Sequence, residues 1–404
     1  MTAPAPRLAQ GEFIALIAML FATIAFSIDA MLPALPRIAQ ELTPGNPNAA
    51  QLIITSFVLG IGLGTLVAGP LSDSFGRKPV IVAGAGLYCL AAAVAYSAPS
   101  LETVLLARLL QGLGAAGPRV VSLALVRDLY KGREMARVVS FAMSIFALAP
   151  AFAPLLGSAI IAGFGWRGIF LAFITFSATS MLWLTTRQPE TLPAPQRRPL
   201  RAGPMGRALR EVLTHRLVVT AMVVQTLVFA CLFGTLSSIQ PIFEQTFRRA
   251  ASFPLWFGLI ALMASSASLL NATLVVRLGM RFLITVTLGA QVLASLTMAG
   301  ATALALLPEG SAFALYIAWT TSVFFTAGLT LGNLNALALE PMGHIAGMAA
   351  SVTGALATVF SVLLAVPLGL AFDGTPVPLA LGIAALTTAG LGLMATLPRR
   401  LEMP

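Results

Sequence analysis

The sequence has 404 residues, of which 58% are hydrophobic and 9% charged, whereas a soluble domain carries about a quarter charged residues. This excludes a soluble globular protein, because spans of roughly 20 apolar residues and their short loops fill nearly the whole chain. The net charge of +10 does not call for nucleic acid, since the bases lie in short clusters between apolar runs.

Hydropathy predicts twelve spans. The first six cover 13–35, 50–70, 79–97, 102–126, 138–161 and 168–187. The run from Phe13 is long and lacks a small-residue cleavage site, so it is expected to be an uncleaved helix rather than a signal peptide. Gly60, Gly62 and Gly64 in the second span predict helix packing and not a nucleotide loop, since no Walker lysine follows. A polar linker at 188–216 holds Arg197, Arg198, Arg201, Arg207, Arg210 and Arg216 among five prolines, with an amphipathic helix expected from Met205 to Leu213. The remaining spans cover 217–239, 254–276, 282–306, 312–338, 348–371 and 377–397.

Topology follows from the bases. With the N-terminus inside, eighteen Lys and Arg fall on the cytoplasmic side and four outside, which predicts a multi-pass protein of the cytoplasmic (inner) membrane with both termini cytoplasmic. The spans also repeat: the seventh begins about 204 residues after the first, and Gly76 and Gly279, each beside basic residues, occupy matching loops. The expected fold is an all-α membrane protein of twelve transmembrane helices in two pseudo-symmetric six-helix bundles. The expected divisions are 1–187, a basic cytoplasmic linker 188–216, and 217–404, with a site between the halves. Cys89 and Cys231 lie in apolar runs and suggest neither a disulfide nor a metal site, and His215 and His344 form no ligand cluster.

Three motifs resemble the major facilitator superfamily. Gly69-Pro-Leu-Ser-Asp73-Ser-Phe-Gly76-Arg77-Lys78 resembles its loop motif between helices two and three. Arg108-Leu-Leu-Gln111-Gly112-Leu-Gly-Ala115-Ala116 resembles its fourth-helix motif. Pro150, Pro154 and Gly157 resemble its fifth-helix antiporter motif, with Ala149-Pro150 where Gly-Pro is usual. The Ser27-Ile-Asp29 to Pro36 segment, Arg127-Asp128-Leu-Tyr130 and His344-Ile-Ala-Gly347 resemble the bicyclomycin and chloramphenicol resistance branch. The resemblance implies the major facilitator fold and proton-coupled efflux of small amphipathic drugs or metabolites by alternating access. It also implies that Asp73, Arg77 and Asp128, with Gly69, Gly76 and Lys78, form a conformational switch.

Asp29 is the one carboxylate clearly inside a span, and intramembrane acids usually serve a function. Burial favours the neutral carboxyl, so Asp29 is the expected proton carrier; the alternative is a carboxylate solvated near the surface. Asp29 lies roughly 24 Å above the inner end of its span and Arg108 roughly 9 Å below the outer end of its own. The two are therefore expected at similar depth, as a charge pair or as alternating partners; bracing through backbone carbonyls is the other role open to Arg108. Gln111, Ala115 and Arg119 follow Arg108 on one helix face, expected to line a cavity, where Arg119 attracts anionic or polar substrates or else snorkels.

Phe26, Met143, Phe146, Phe229 and Phe233, with Phe21, are candidates for an adaptable pocket, the alternative being that they face lipid or pack between helices. Gln225 and Asn333 are candidate substrate contacts, as are Asn271 and Asn335, unless they bond between helices. No nucleophile–base pair or metal cluster argues for an enzyme, and no cofactor beyond the proton gradient is expected. The expected partners are a small-molecule substrate, protons and the lipid bilayer, with no nucleic acid, acting on a monomer. The alternatives are an exporter of one physiological metabolite, or an importer.

Overall fold

The computed structural model describes residues 8–197, 200 and 202–397. Arg7, Arg198, Arg201, Arg399 and Arg400 of the topology count, and Pro199 of the linker, lie outside them. Helices α1 (Gln10–Asp29) and α2 (Leu35–Leu42) make the first span. Next come α3 (Leu52–Phe75), α4 (Arg77–Tyr96), α5 (Leu101–Leu129), α6 (Gly132–Phe164) and α7 (Gly168–Arg187). Helix α8 (Ala202–Thr214) covers the expected amphipathic segment. The last six are α9 (Arg216–Pro241), α10 (Phe253–Leu278), α11 (Met280–Ala303), α12 (Glu309–Leu339), α13 (Ala346–Leu370) and α14 (Val377–Ala395).

Eleven continuous helical stretches among the described residues are long and apolar enough to cross a membrane. One of them, Glu309–Leu370, has 62 residues, or about 93 Å at 1.5 Å per residue, three times a hydrocarbon core. It is broken by a tight 3₁₀ stretch at Glu340–Ile345, where Met342 leaves helical geometry at φ −106°. It is therefore two spans, α12 and α13, which makes twelve among the described residues.

The first span differs from the continuous helix expected over 13–35. Helix α1 stops at Asp29, and a 3₁₀ turn at Leu32–Ala34 intervenes before α2. Pro33 and Pro36 explain the break, since neither has an amide to donate and each ring crowds the preceding turn. The interruption places Asp29 at a helix C-terminus rather than inside a helix.

Two compact units result: Met1–Ala34 with Ser56–Ala202, and Leu35–Thr55 with Gly203–Pro404. In the first, Phe13, Leu16 and Ile17 of α1 join Val121 and Leu125 of α5, Val138 of α6 and Leu184 of α7 in one core. In the second, Val218 and Val224 of α9 join Leu288 of α11, Leu334 of α12 and Val352 of α13. The 35–55 segment belongs to the second unit through specific polar contacts. Asn48 Nδ2 donates to the carbonyls of Leu370 at 3.2 Å and Phe372 at 2.8 Å, at the end of α13. Ser238 Oγ of α9 donates to Gln51 Oε1 at 3.3 Å.

Lipid cannot drive helices together by the hydrophobic effect, so small residues that let backbones approach take over. The clearest case joins α3 to α5. A Cβ on Gly112 would collide with the Phe57 carbonyl oxygen and lie 3.0 Å from the Ile61 nitrogen, and one on Gly60 would collide with the Leu109 carbonyl. Large apolar side chains such as Leu90, Leu182, Leu269 and Leu293 are exposed, as contact with hydrocarbon requires. Gly112→Ala should force α3 from α5 and lower stability by about 1–3 kcal/mol, measured by unfolding of the solubilised protein; unchanged stability would show that the approach is slack.

Candidate functional site

Arg108, on α5, has no exposed surface. Its Nη1 donates to Gln111 Oε1 at 2.7 Å, one turn along α5, and its Nη2 donates to the Ser27 carbonyl of α1 at 2.9 Å. Its Cζ lies 4.1 Å from the Phe57 ring centroid, a cation–π contact that further compensates for lost water. Tyr88 of α4 completes the cluster, with its hydroxyl 2.5 Å from Ser27 Oγ.

Asp29 is 5% exposed. In this structure Arg108 Nη1 and Nη2 go to Gln111 and to the Ser27 carbonyl, two residues before Asp29, and not to the Asp29 carboxyl. The reason is angular. Ser27 faces α4 and α5, and at 100° per residue Asp29 is turned about 200° from it. Arg108 reaches the backbone of the same turn instead. Equal depth along two helices does not bring two side chains to the same side.

Arg108, Gln111 and Ala115, on the α5 face expected to line a cavity, are all buried. Those three are packed within the first unit, and only Arg119 of the four is exposed. The aromatic candidates separate too. Phe26 sits against Phe173 and Phe176 of α7, at centroid distances of 5.4 and 5.3 Å. Phe146 meets Phe21 edge-on at 6.5 Å, and Met143 on the same helix is exposed. Pro150, Pro154 and Gly157 all lie inside the uninterrupted α6.

In the second unit, Phe229 and Phe233 stack at 5.7 Å with rings 19° from parallel. Gln225, one turn before them on α9, is buried, and its Oε1 has no hydrogen-bond partner. Asn333 and Asn271 bond to each other, Nδ2 of Asn333 donating to Oδ1 of Asn271 at 2.7 Å. Asn333 therefore joins α12 to α10.

The loop between α3 and α4 holds a second cluster. Arg77 is buried and spreads its guanidinium over three acceptors: Asp73 Oδ1 at 2.5 Å, Ser72 Oγ at 2.7 Å and Asp128 Oδ2 at 3.0 Å. Thr191 Oγ1 donates to the same Asp128 oxygen at 2.9 Å. Lys78 Nζ donates to the Thr185 carbonyl at 2.6 Å. Gly76 adopts φ 105°, a backbone geometry that turns the chain sharply into α4 and is open to glycine. Gly69 has no atom within 4 Å of where a side chain would start.

Glu190 was absent from the sequence expectations and is central here. Its Oε1 and Oε2 each accept at 3.0 Å, from the amides of Arg77 and Lys78, the first two residues of α4. A carboxylate suits the positive end of a helix, and it satisfies two amides with no partner inside α4. The detectable signal was the acid in Pro189-Glu190-Thr191-Leu192 just after α7, opposite a helix whose own N-cap is glycine. Glu190→Ala should leave both amides to water and cost about 1 kcal/mol, read as a lower unfolding temperature in detergent; no change would mean that the cap contributes nothing.

Comparison with known proteins agrees with this architecture. The Major Facilitator Superfamily profile matches residues 15–366. The bicyclomycin resistance protein homolog of Haemophilus influenzae is 29% identical over 337 residues, 82% of each chain. A chloramphenicol resistance protein of Pseudomonas aeruginosa is 38% identical over 166 residues, 40% of this chain and 39% of that one. The crystal structure of a D-xylose–proton symporter superposes with a TM-score of 0.75 at 13% identity, covering 95% of this chain and 97% of that one, a likeness of fold alone. The chain is a transporter rather than an enzyme, and it belongs to the major facilitator superfamily.

Proposed function

We propose that the protein exports small amphipathic drugs or metabolites from the bacterial cytoplasm by alternating access, in exchange for protons carried on Asp29. The observation that carries this is Asp29 itself. It is the one acidic side chain among the buried residues described, and no cation pairs with it there. A group held this way is costly when charged, so a cycle that alternately wets and buries it takes up and releases a proton. The names of the bicyclomycin and chloramphenicol resistance relatives support outward transport of drugs.

Substrate contacts are assigned to Gln225, whose carbonyl asks for a hydrogen-bond donor, and to the stacked Phe229 and Phe233, which suit a flat apolar body. Phe146, Met143 and Arg119 are the corresponding candidates in the first unit. Phe26, Gln111 and Ala115 support the site from behind, and Asn333 from α12. Asp73, Arg77 and Asp128 are assigned to the conformational switch, because charge pairs that exist in one state and not in another supply the energy difference that alternation needs.

Two outcomes test the reading. Asp29→Asn should reach the membrane folded and lose at least about tenfold of pH-gradient-driven transport in vesicles, a change of 1.4 kcal/mol in coupling; full gradient-driven transport by this variant would falsify the proposal. The arginines of the 188–216 segment support a cytoplasmic location for it. With Cys89 and Cys231 replaced by serine, Ala202→Cys should resist an impermeant thiol reagent in intact cells and react after permeabilisation. Labelling of intact cells would reverse the topology and with it the direction of transport.

A further inference from the structure

The last turn of α1 is fixed from two sides. Ser27 Oγ donates to the Thr23 carbonyl at 2.5 Å. Its single proton is thereby used, so the 2.5 Å contact with Tyr88 is donated by the tyrosine hydroxyl. The Ser27 carbonyl accepts from Arg108 Nη2 at 2.9 Å. Ser27 is therefore gripped by its side chain from α4 and by its backbone from α5. Tyr88 cannot drift, because α4 and α5 meet backbone to backbone there: a Cβ on Gly114 would lie 2.7 Å from the Tyr88 nitrogen. On the opposite side Gly157 of α6 abuts the Ala30 carbonyl so closely that any Cβ would collide with it. Asp29 lies between these two grips, where α1 ends.

We propose that Tyr88 is a positioning residue for Asp29, acting through Ser27 to hold the end of α1 where the Asp29 carboxyl is kept from water. The proposal rests on the assignment of Asp29 as the proton carrier. Removing the tyrosine hydroxyl takes one oxygen from the protein and leaves the ring, which is 1% exposed, in place. It leaves Ser27 without its donor and frees α1 to shift against α4. Water that then reaches Asp29 stabilises the ionised carboxylate, so more acid is needed to protonate it. The titratable and charged groups facing this turn are Tyr88 of α4 and Arg108 of α5. Helix α6 from Phe141 to Phe164 and α7 from Gly168 to Thr186 contain none.

The test is an infrared titration of the full-length protein in detergent, following the protonated carboxyl band that Asp29→Asn abolishes. No substrate is required. Tyr88→Phe should move the midpoint of that band toward acid by about half a pH unit, a threefold change in proton affinity. Ser27→Ala should move it in the same direction, and the double variant should move it no further than either alone, because both act through one hydrogen bond. A midpoint unchanged in both variants, additive shifts, or loss of folding in both would overturn the positioning role and leave Tyr88 a packing residue. A titrating band that persists in Asp29→Asn would instead remove Asp29 as carrier, and the proposed coupling with it.

Discussion

A guanidinium with no exposed surface must find acceptors inside the protein, and Arg108 is the point on which the first unit turns. Arg108 takes the Ser27 carbonyl, the Gln111 amide oxygen and the face of Phe57. The carbonyl is the informative choice. Ser27 belongs to the last turn of α1, whose carbonyls lose helical partners where the helix stops before Pro33. A cation at that end matches the sign of the helix dipole. One side chain thus satisfies its own charge and the end of a broken helix together. It also leaves Asp29, two residues on, without compensation, the condition that the proposed proton exchange calls for.

The rest of both units follows from the same constraint, that helices in lipid must be joined by something other than apolar burial. Between α3 and α5 the joint is backbone contact over Gly60 and Gly112. Between α10 and α12 it is the Asn271–Asn333 amide pair. Between α11 and α12 it is Gln291, whose Oε1 accepts from Ser322 at 3.0 Å and Thr326 at 3.1 Å, while its Nε2 donates to Ser295 at 3.1 Å. In each of these joints the polar groups named are paired, as low-dielectric surroundings demand. Gln225 departs from the pattern with an unpaired carbonyl beside two stacked rings.

The sequence made the spans legible because lipid imposes one length and one polarity on each of them. The 168–187 span matches α7 at both ends, and most others lie within a few residues. Depth was legible too, since rise per residue is fixed. Azimuth was not. Asp29 and Arg108 share a depth, yet the turn of α1 directs Ser27, and not Asp29, toward α5. The 3.6-residue period orders Arg108, Gln111, Ala115 and Arg119 on one face, but it does not say which helix covers that face; here three of the four are buried. Glu190 escaped notice because its partners are backbone amides 112 and 113 residues away, which carry no sequence signature. The break at Pro33 was legible in principle and was outweighed by continuous hydropathy.

The two clusters of the first unit differ in a way that matches what each is proposed to do. Around Arg108 the participating groups are essentially fully buried, and Ser27, Tyr88 and Arg108 join α1, α4 and α5 with almost no access for water. Breaking such contacts means uncovering polar groups in a low dielectric, so the cluster has the character of a scaffold between α1, α4 and α5. Around Arg77 the balance is different. The Asp73 side chain is 46% exposed, and water can replace it at small cost. Asp128 Oδ2 accepts from both Arg77 and Thr191, so it keeps a donor when Arg77 lets go. A switch has to be made of interactions that exchange within a few kcal/mol, and a scaffold of interactions that do not. Glu190 joins the exchangeable cluster to a fixed point, because its carboxylate holds the first turn of α4 whichever acceptors Arg77 chooses. The Arg77 side chain can therefore change partners while the backbone that carries it stays in register with Tyr88 further along the same helix.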